Sequence, residues 1–95
     1  MSRDRAFLPA LSFEIETAAA ELVGERLAPF VDAHGVDAEV RARLLTVAPA
    51  IACGVAGLAQ RLRVEADIAA HDVQLVIAPA DDEQLEVWAR FERPG

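Results

Sequence analysis

The side chains that most often carry out chemistry in proteins are few in this sequence and widely separated. His34 and His71 are the only histidines, and neither has a second histidine at the spacing of a metal-binding pair. The single cysteine, Cys53, excludes an intramolecular disulfide, and no arginine lies between Leu44 and Gln60 to stabilise a thiolate. We therefore predict helix-end and turn positions for the histidines, and a small buried hydrophobic role for Cys53.

The densest group of carboxylates is the run Asp81-Asp82-Glu83. A calcium loop needs more oxygen ligands at regular spacing and a glycine bend, so this run is typical of a solvated turn. Neither serine lies in a nucleophile-elbow pattern, and the chain contains no lysine, tyrosine or asparagine. The sequence thus predicts no catalytic, cofactor-binding or metal-binding residue, and this favours a protein that is not an enzyme.

The charge balance restricts the class of partner. The formal net charge is -7 over 95 residues, and all nine basic residues are arginines, mostly in scattered pairs. A nucleic-acid or anionic-membrane binder needs a basic face that neutralises phosphates, so we expect neither partner. The uncharged stretch 44–60 is shorter than the ~20 residues of a membrane span, no signal-like apolar run follows the N-terminus, and we expect a cytoplasmic protein.

The elements that would position these residues begin after a polar lead-in over residues 1–10, and residues 11–95 are predicted to form a single domain. Apolar and polar residues alternate over 11–16, which is typical of a strand with one buried face. A helix is predicted over 18–34, with a kink at Pro29. Thr17 is expected to cap its start and Gly35 its end.

A second helix is predicted from Asp37 to about Arg63. Its apolar stripe has steps of four and three residues, and consists of Val40, Leu44, Val47, Ile51, Val55, Leu58 and Leu62. A neighbouring face of small residues would allow another backbone to approach closely, so Ala52 and Ala56 are candidate interface residues. Pro49 predicts a kink near the middle of this helix.

The last third of the chain reads as sheet. Alternation over 73–77 and 85–91, separated by the turn residues Pro79-Ala-Asp-Asp82, predicts a β-hairpin. The stretch Val64–Ala70 is compatible with either strand or helix. The resulting fold class is α/β, in the two-layer α+β sense: strand-helix-helix followed by a hairpin or meander, with the helices on one face of a small sheet.

Trp88 is the unusual candidate for a surface residue. If its odd-numbered neighbours face the core, Trp88 lies on the opposite sheet face, beside Val76 of the paired strand and close to Arg90. An exposed tryptophan beside an apolar residue indicates an interface. The alternative is that another segment covers it. Trp88, Val76 and Arg90 are therefore candidate interface residues.

The segment SFEIETAAAELVGERLAPFVDAHGVDAEVRARLLTVAPAIACGVAGLAQ, followed by the closing LEVWARFERPG, resembles the front half of the histidine-kinase-like ATPase (GHKL) fold. The layout is similar to that of the anti-sigma-factor serine kinases of bacterial stress signalling. The resemblance implies a glutamate near Ala50, a metal-binding asparagine near Gly54 and an adenine-reading aspartate near Phe91. None of these residue types is present there, so the resemblance implies a truncated relative without nucleotide chemistry.

These observations favour a non-catalytic, regulatory or adaptor protein-interaction module that self-associates, because so small and alanine-rich a domain gains from added burial. The partner would be a protein or a second copy, with no cofactor. Two alternatives remain. One is an ATP-binding serine kinase or anti-sigma-type regulator. The other is a small ligand-binding domain whose site forms at a dimer interface, where Arg41, Arg43, Arg61 and Arg63 could bind an anion.

Overall fold

Two α-helices and a four-stranded antiparallel sheet form the part of the chain that the computed structural model describes, residues 8–82 and 84–94. The elements in chain order are β1 (Ala10–Glu16), α1 (Val23–Ala33), α2 (Ala38–Val55), β2 (Arg61–Ile68), β3 (Asp72–Pro79) and β4 (Val87–Glu92). The strands are adjacent in the order β1-β2-β3-β4, and every neighbouring pair is antiparallel. The predicted two-layer α+β class, with strand-helix-helix followed by a meander, is confirmed.

One face of the sheet packs against the helices. In β2 the buried positions alternate with half-buried or exposed ones, as a period of two requires. The register aligns Phe13 with Val64, Val64 with Ile77, and Ile77 with Val87, so each row crosses all four strands. The strand residues buried in this core are Ile15, Leu62, Val64, Ala66, Ile68, Val73, Leu75, Ile77 and Phe91.

The first predicted helix is divided in two. Residues Thr17–Leu22 form a 3₁₀ segment with non-helical backbone at Ala19, and the α-helix begins only at Val23. Pro29 does not interrupt the helix, since α1 continues through that exposed residue to Ala33. Thr17 does not act as a helix cap: its backbone N–H and its hydroxyl both donate to the carbonyl of Gln60, at 3.0 and 3.2 Å, which ties the end of β1 to the start of β2.

The end of α1 follows the prediction. Gly35 has a φ of 65°, a left-handed conformation that glycine adopts without a steric penalty. The N–H of Val36 then returns to the carbonyl of Val31 at 3.2 Å. His34 lies at the C-cap, where its Nδ1 is 3.0 Å from the carbonyl oxygen of Phe30.

The second predicted helix is too long. It ends at Val55, a single 3₁₀ turn follows over Ala56–Leu58, and β2 begins at Arg61. The open assignment of Val64–Ala70 is therefore settled as strand as far as Ile68. Leu62 belongs to the core through β2, whereas Leu58 is 59% exposed.

The face of α2 that contacts the sheet also differs from the prediction. The fully or almost fully buried residues are Val40, Leu44, Ala48 and Ala52, at steps of four, while Val47, Ile51 and Val55 pack only partly against the core. Ala52 is therefore a core residue and is unavailable to a partner, and Ala56 is half-buried against the same core. This corrects the interface role predicted for Ala52, whereas the role predicted for Ala56 stays a prediction.

Cys53 is exposed, so the prediction that it is buried is wrong. The reason is geometric: adjacent residues of an α-helix point about 100° apart. Because Ala52 points into the core, Cys53 is turned towards solvent.

The segment Ala38–Leu58 is long and apolar enough to cross a membrane by length and composition alone. In the folded chain, however, it carries the central helix of the core, and Leu44, Ala48 and Ala52 on it have no exposed surface. One face of this alanine-rich helix thus packs against the sheet, and its other residues are half-buried or exposed.

The substitution Leu44→Ala is expected to reduce the free energy of unfolding by about 2–5 kcal/mol, because it leaves a cavity in the core. The matched control Leu58→Ala is expected to change it by less than about 0.5 kcal/mol, because Leu58 is largely exposed. Urea unfolding followed by circular dichroism measures both. Equal losses would mean that Leu58 is packed in the core, as the sequence pattern alone suggested.

Candidate interaction surface on the open face of the sheet

The sheet face opposite the helices, called here the outer face, is formed by alternate residues of all four strands. Its described members are Ala10, Ser12, Glu14, Arg61, Arg63, Glu65, Asp67, Asp72, Gln74, Val76, Ala78, Trp88, Arg90 and Glu92. No described helix packs over it. The described helices therefore leave the outer face uncovered, although its β3 residues Asp72, Val76 and Ala78 are buried.

Trp88 and Val76 lie beside each other on the outer face, as predicted, with Trp88 on the edge strand β4. They are directly opposed across β3 and β4, and the same row continues through Glu65 to Ser12. Trp88 is 61% exposed, whereas Val76 is only 6% exposed. The described residues thus leave most of the indole surface in solvent.

A shallow groove runs beside this pair. Its volume is about 410 Å³, and its lining comes from β1, β2, β3 and β4. The lining residues are Ala10, Leu11, Ser12, Glu65, Ala66, Asp67, Gln74, Val76 and Trp88. Its surface is mainly apolar with carboxylates on one side, which suits an aliphatic or aromatic side chain better than a reacting substrate.

An ion-pair network joins Trp88 to the neighbouring strands. Arg63 donates to Glu86 at 3.0 Å and to Glu65 at 2.5 Å, and the Trp88 Nε1–H donates to the other oxygen of Glu86 at 3.2 Å. The hydrogen bonds to Glu86 and then Glu65 raise the pKa of the Arg63 guanidinium. Glu86 is therefore held by two donors, and it orients the indole edge.

Arg90 and Asp72 form a second pair at the far end of β4. The Arg90 Nε donates to Asp72 at 2.6 Å, and Nη1 donates to Glu92 at 3.3 Å. The hydrogen bond to Asp72 is the main cause of the raised pKa of Arg90. Asp72 is 6% exposed, so this pair stabilises a carboxylate at the edge of the sheet.

The remaining arginine pairs are also neutralised by acids. Arg61 contacts Glu14 at 3.0 Å and Glu16 at 3.8 Å. On the helical side, Arg41 contacts Asp32 at 2.6 Å and Arg43 contacts Glu39 at 3.0 Å. The four arginines considered for anion binding are therefore engaged within the domain, which disfavours a phosphate or carboxylate site built from them.

The backbone of β4 presents an edge. β4 is last in the strand order, and the Arg93 N–H just beyond it donates to the carbonyl of His71 on the β3 side. Backbone groups alternate in direction along an antiparallel strand, so the even-numbered residues, including Trp88 and Arg90, direct theirs away from β3. Within residues 8–82 and 84–94 no strand pairs with this side of β4.

The polar residues that first suggested chemistry do not converge. The acidic run forms the predicted turn: the Asp82 N–H donates to the carbonyl of Pro79, and Asp82 Oδ1 accepts from the Gln84 N–H at 3.0 Å. Glu83 lies outside the described residues. Among the described residues, no group of three histidine, cysteine, aspartate or glutamate side chains could hold a metal ion.

A second cavity lies at the opposite end of β2 from the groove. It has a volume of about 760 Å³, and it is lined by Glu14, Gly57, Leu58, Ala59, Gln60, Arg61, Ala80 and Asp81. Arg61 is already paired with Glu14 there. No nucleophile lies beside a base in this lining, so the cavity offers no chemistry of its own.

The positions implied by the ATPase resemblance are dispersed. Ala50 and Gly54 lie on the exposed side of α2, and no atom beyond their own helix lies within 4 Å of a Cβ built at Gly54. Phe91 is buried in the core. The strand that carries it, β4, is the third strand after the long helix.

Sequence reasoning identified Trp88 and Val76 but missed Arg63 and Glu86. The spacing gave no signal for them, because Glu86 precedes β4 and meets Arg63 only through the strand register. No protein-family model, curated protein or solved structure matches this chain. The argument for function therefore starts from the outer face.

A double-mutant cycle on Arg63 and Glu86 is expected to give a coupling of about 1 kcal/mol or more, because both side chains are partly buried. The exposed helical pair Arg43 and Glu39 serves as control, with an expected coupling of about 0.3–0.5 kcal/mol. Urea unfolding of each single and double glutamine variant gives both values. A coupling near zero for the first pair would show that it does not order the outer face.

Proposed function

We propose that this protein is a non-catalytic protein-interaction module with a regulatory or adaptor role, and that it binds through the outer face around Trp88. The observation that carries the proposal is the exposure of Trp88, 61%, on the edge strand of a sheet face that no described helix covers. Tryptophan is among the residues that most often dominate binding energy at interfaces. A soluble cytoplasmic protein is the setting we propose for it.

The surroundings of Trp88 resemble the rim of an interface. Arg63, Glu65, Glu86 and Arg90 surround it, and their charges are satisfied within the domain. A partner that covers the indole would therefore not have to bury an unpaired charge, which is the main cost of burying polar groups. The anchor and the polar ring match the arrangement of a hot spot and its surrounding contacts.

The acidic character of the domain supports a protein partner over nucleic acid. The outer-face arginines Arg61, Arg63 and Arg90 each contact one or more carboxylates. A phosphate backbone would have to compete with these internal partners and with the net charge of -7.

Titration with Mg-ATP separates this proposal from the alternative of an ATP-binding regulator. No heat of binding is expected in a calorimeter, because Ala50 offers no carboxylate and Gly54 no side chain. Saturable binding would favour the ATPase alternative. A fluorescence titration on Trp88 with the same nucleotide provides an independent readout.

Site-specific photo-cross-linking tests the interaction surface. Benzoylphenylalanine at Gln74, beside Trp88 in the groove, is expected to give protein adducts in the native cells. Trp88→Ala should abolish most of them, since truncating a hot spot weakens binding about thirtyfold or more. The same photoprobe at Ala50, exposed on α2, is the matched control. Absence of adducts at Gln74, or adducts indifferent to Trp88, would contradict the proposal.

A further inference from the structure

We infer that the partner of this surface is a second copy of the chain, which pairs with β4 edge to edge in an antiparallel register centred on Trp88. The inference rests on the proposed interaction function and names its partner. Two four-stranded sheets would join into one continuous sheet, with the helices of both copies on the same side.

The backbone of β4 permits this pairing. Trp88 and Arg90 direct their N–H and C=O groups away from β3, and Glu86 directly precedes the strand, so the proposed pairing extends β4 by one residue at its start. An antiparallel pair related by a two-fold axis exchanges these groups reciprocally, so both copies satisfy the same edge. No proline interrupts this row of even-numbered residues from Glu86 to Glu92.

The charges select the register. With Trp88 opposite Trp88 of the second copy, Arg90 faces Glu86 twice, once on each side of the axis. The sequence Glu-Val-Trp-Ala-Arg over 86–90 is thus complementary to itself when reversed. Self-complementarity of this kind is what a two-fold interface requires, and an unrelated partner would not demand it.

Neighbouring registers are less favourable. If the two-fold axis passes through Ala89, Glu86 lies opposite Glu92 of the second copy. If it passes through Arg90, that arginine lies opposite the same arginine of the second copy. A register centred on Phe91 also places Arg90 opposite Glu92 twice, but it places Pro94, which has no N–H, opposite Trp88 and leaves the outward carbonyl of Trp88 without a donor. If the axis passes through Val87, Trp88 lies opposite Glu86, and Arg90 has no acidic residue opposite it.

Side-chain packing supports the Trp88-centred register on both faces of the sheet. On the outer face the two exposed indoles become neighbours, and aromatic pairs across strands are favourable. On the helix face Leu85, which is 41% exposed, lies opposite Phe91 of the second copy. The hydrogen bonds described for Arg90 use Nε and Nη1, and a guanidinium has further N–H donors for a second carboxylate.

Analytical ultracentrifugation across micromolar concentrations tests the second copy as partner. We expect a reversible dimer, whose dissociation constant rises about thirtyfold in Trp88→Ala. Leu58→Ala removes an equally exposed apolar side chain away from β4 and should leave the constant unchanged. A wild-type protein that stays monomeric at high micromolar concentration would overturn the inference.

Disulfide trapping tests the register. In a Cys53→Ala background, equimolar Arg90→Cys and Glu86→Cys variants should form a mixed disulfide, because facing residues of antiparallel strands lie within bonding range. Neither variant should cross-link to itself. Self-cross-linking of Arg90→Cys alone would overturn the Trp88-centred register.

The two proposals fail in different ways. The protein could be monomeric and still give photo-adducts with another protein at Gln74 that depend on Trp88. This result would overturn the inference that the partner is a second copy, and the proposed interaction function would stand. A monomeric protein without such adducts overturns both. A dimer that persists in Trp88→Ala with unchanged affinity places self-association elsewhere and also overturns the inference.

Discussion

The structure depends on the close packing of α2 against one face of the sheet. Residues at steps of four along α2 are buried, and from Ala48 onwards they are alanines, so the helix backbone approaches the strands closely. Gly24 allows a similar approach between the helices, since a Cβ there would lie 3.3 Å from the carbonyl oxygen of Leu45. Both helices therefore pack on the same side of the sheet, and neither covers the outer face.

The outer face is stabilised by a set of ion pairs between residues of adjacent strands. Antiparallel sheets with one open face usually place polar residues there, and in this protein oppositely charged residues on adjacent strands meet, as Arg61 does with Glu14. The network through Arg63 and Glu86 reaches Trp88, whose indole N–H is held in place. An exposed aromatic group with a restrained orientation loses less entropy on binding than a free one.

Much of this fold could be predicted from sequence periodicity. The alternation in β1, β3 and β4 placed these strands, and with them the position of Trp88 opposite Val76. The end of α2 could not be predicted, because Leu58 and Leu62 continue the helical spacing of four. Strand pairing decided it: Leu62 lies opposite Ile15 and Pro79, partners that are distant in sequence.

The face of α2 that packs against the sheet could not be predicted from the sequence, for a related reason. A pattern of hydrophobicity gives the large residues Val47, Ile51 and Val55 the greatest weight, yet the available gap between the layers was filled by Ala48 and Ala52. The distance between two layers is a property of the whole fold and not of one segment. The outer-face ion pairs have the same origin, since their partners are brought together only by register.

The order of charged and uncharged residues along β4 affects which strands can pair with its open edge. An open edge is a template for indiscriminate pairing, and proteins commonly protect it with charged side chains. Arg90 and Glu92 provide such charges on β4. Trp88, which lies between Glu86 and Arg90, is uncharged and does not protect the edge in this way. Like charges disfavour the registers centred on Ala89 and Arg90, and the missing N–H of Pro94 disfavours the one centred on Phe91, whereas the register centred on Trp88 pairs opposite charges. In the proposed dimer, the charge order of this edge would therefore favour a second copy of the chain over most other strands.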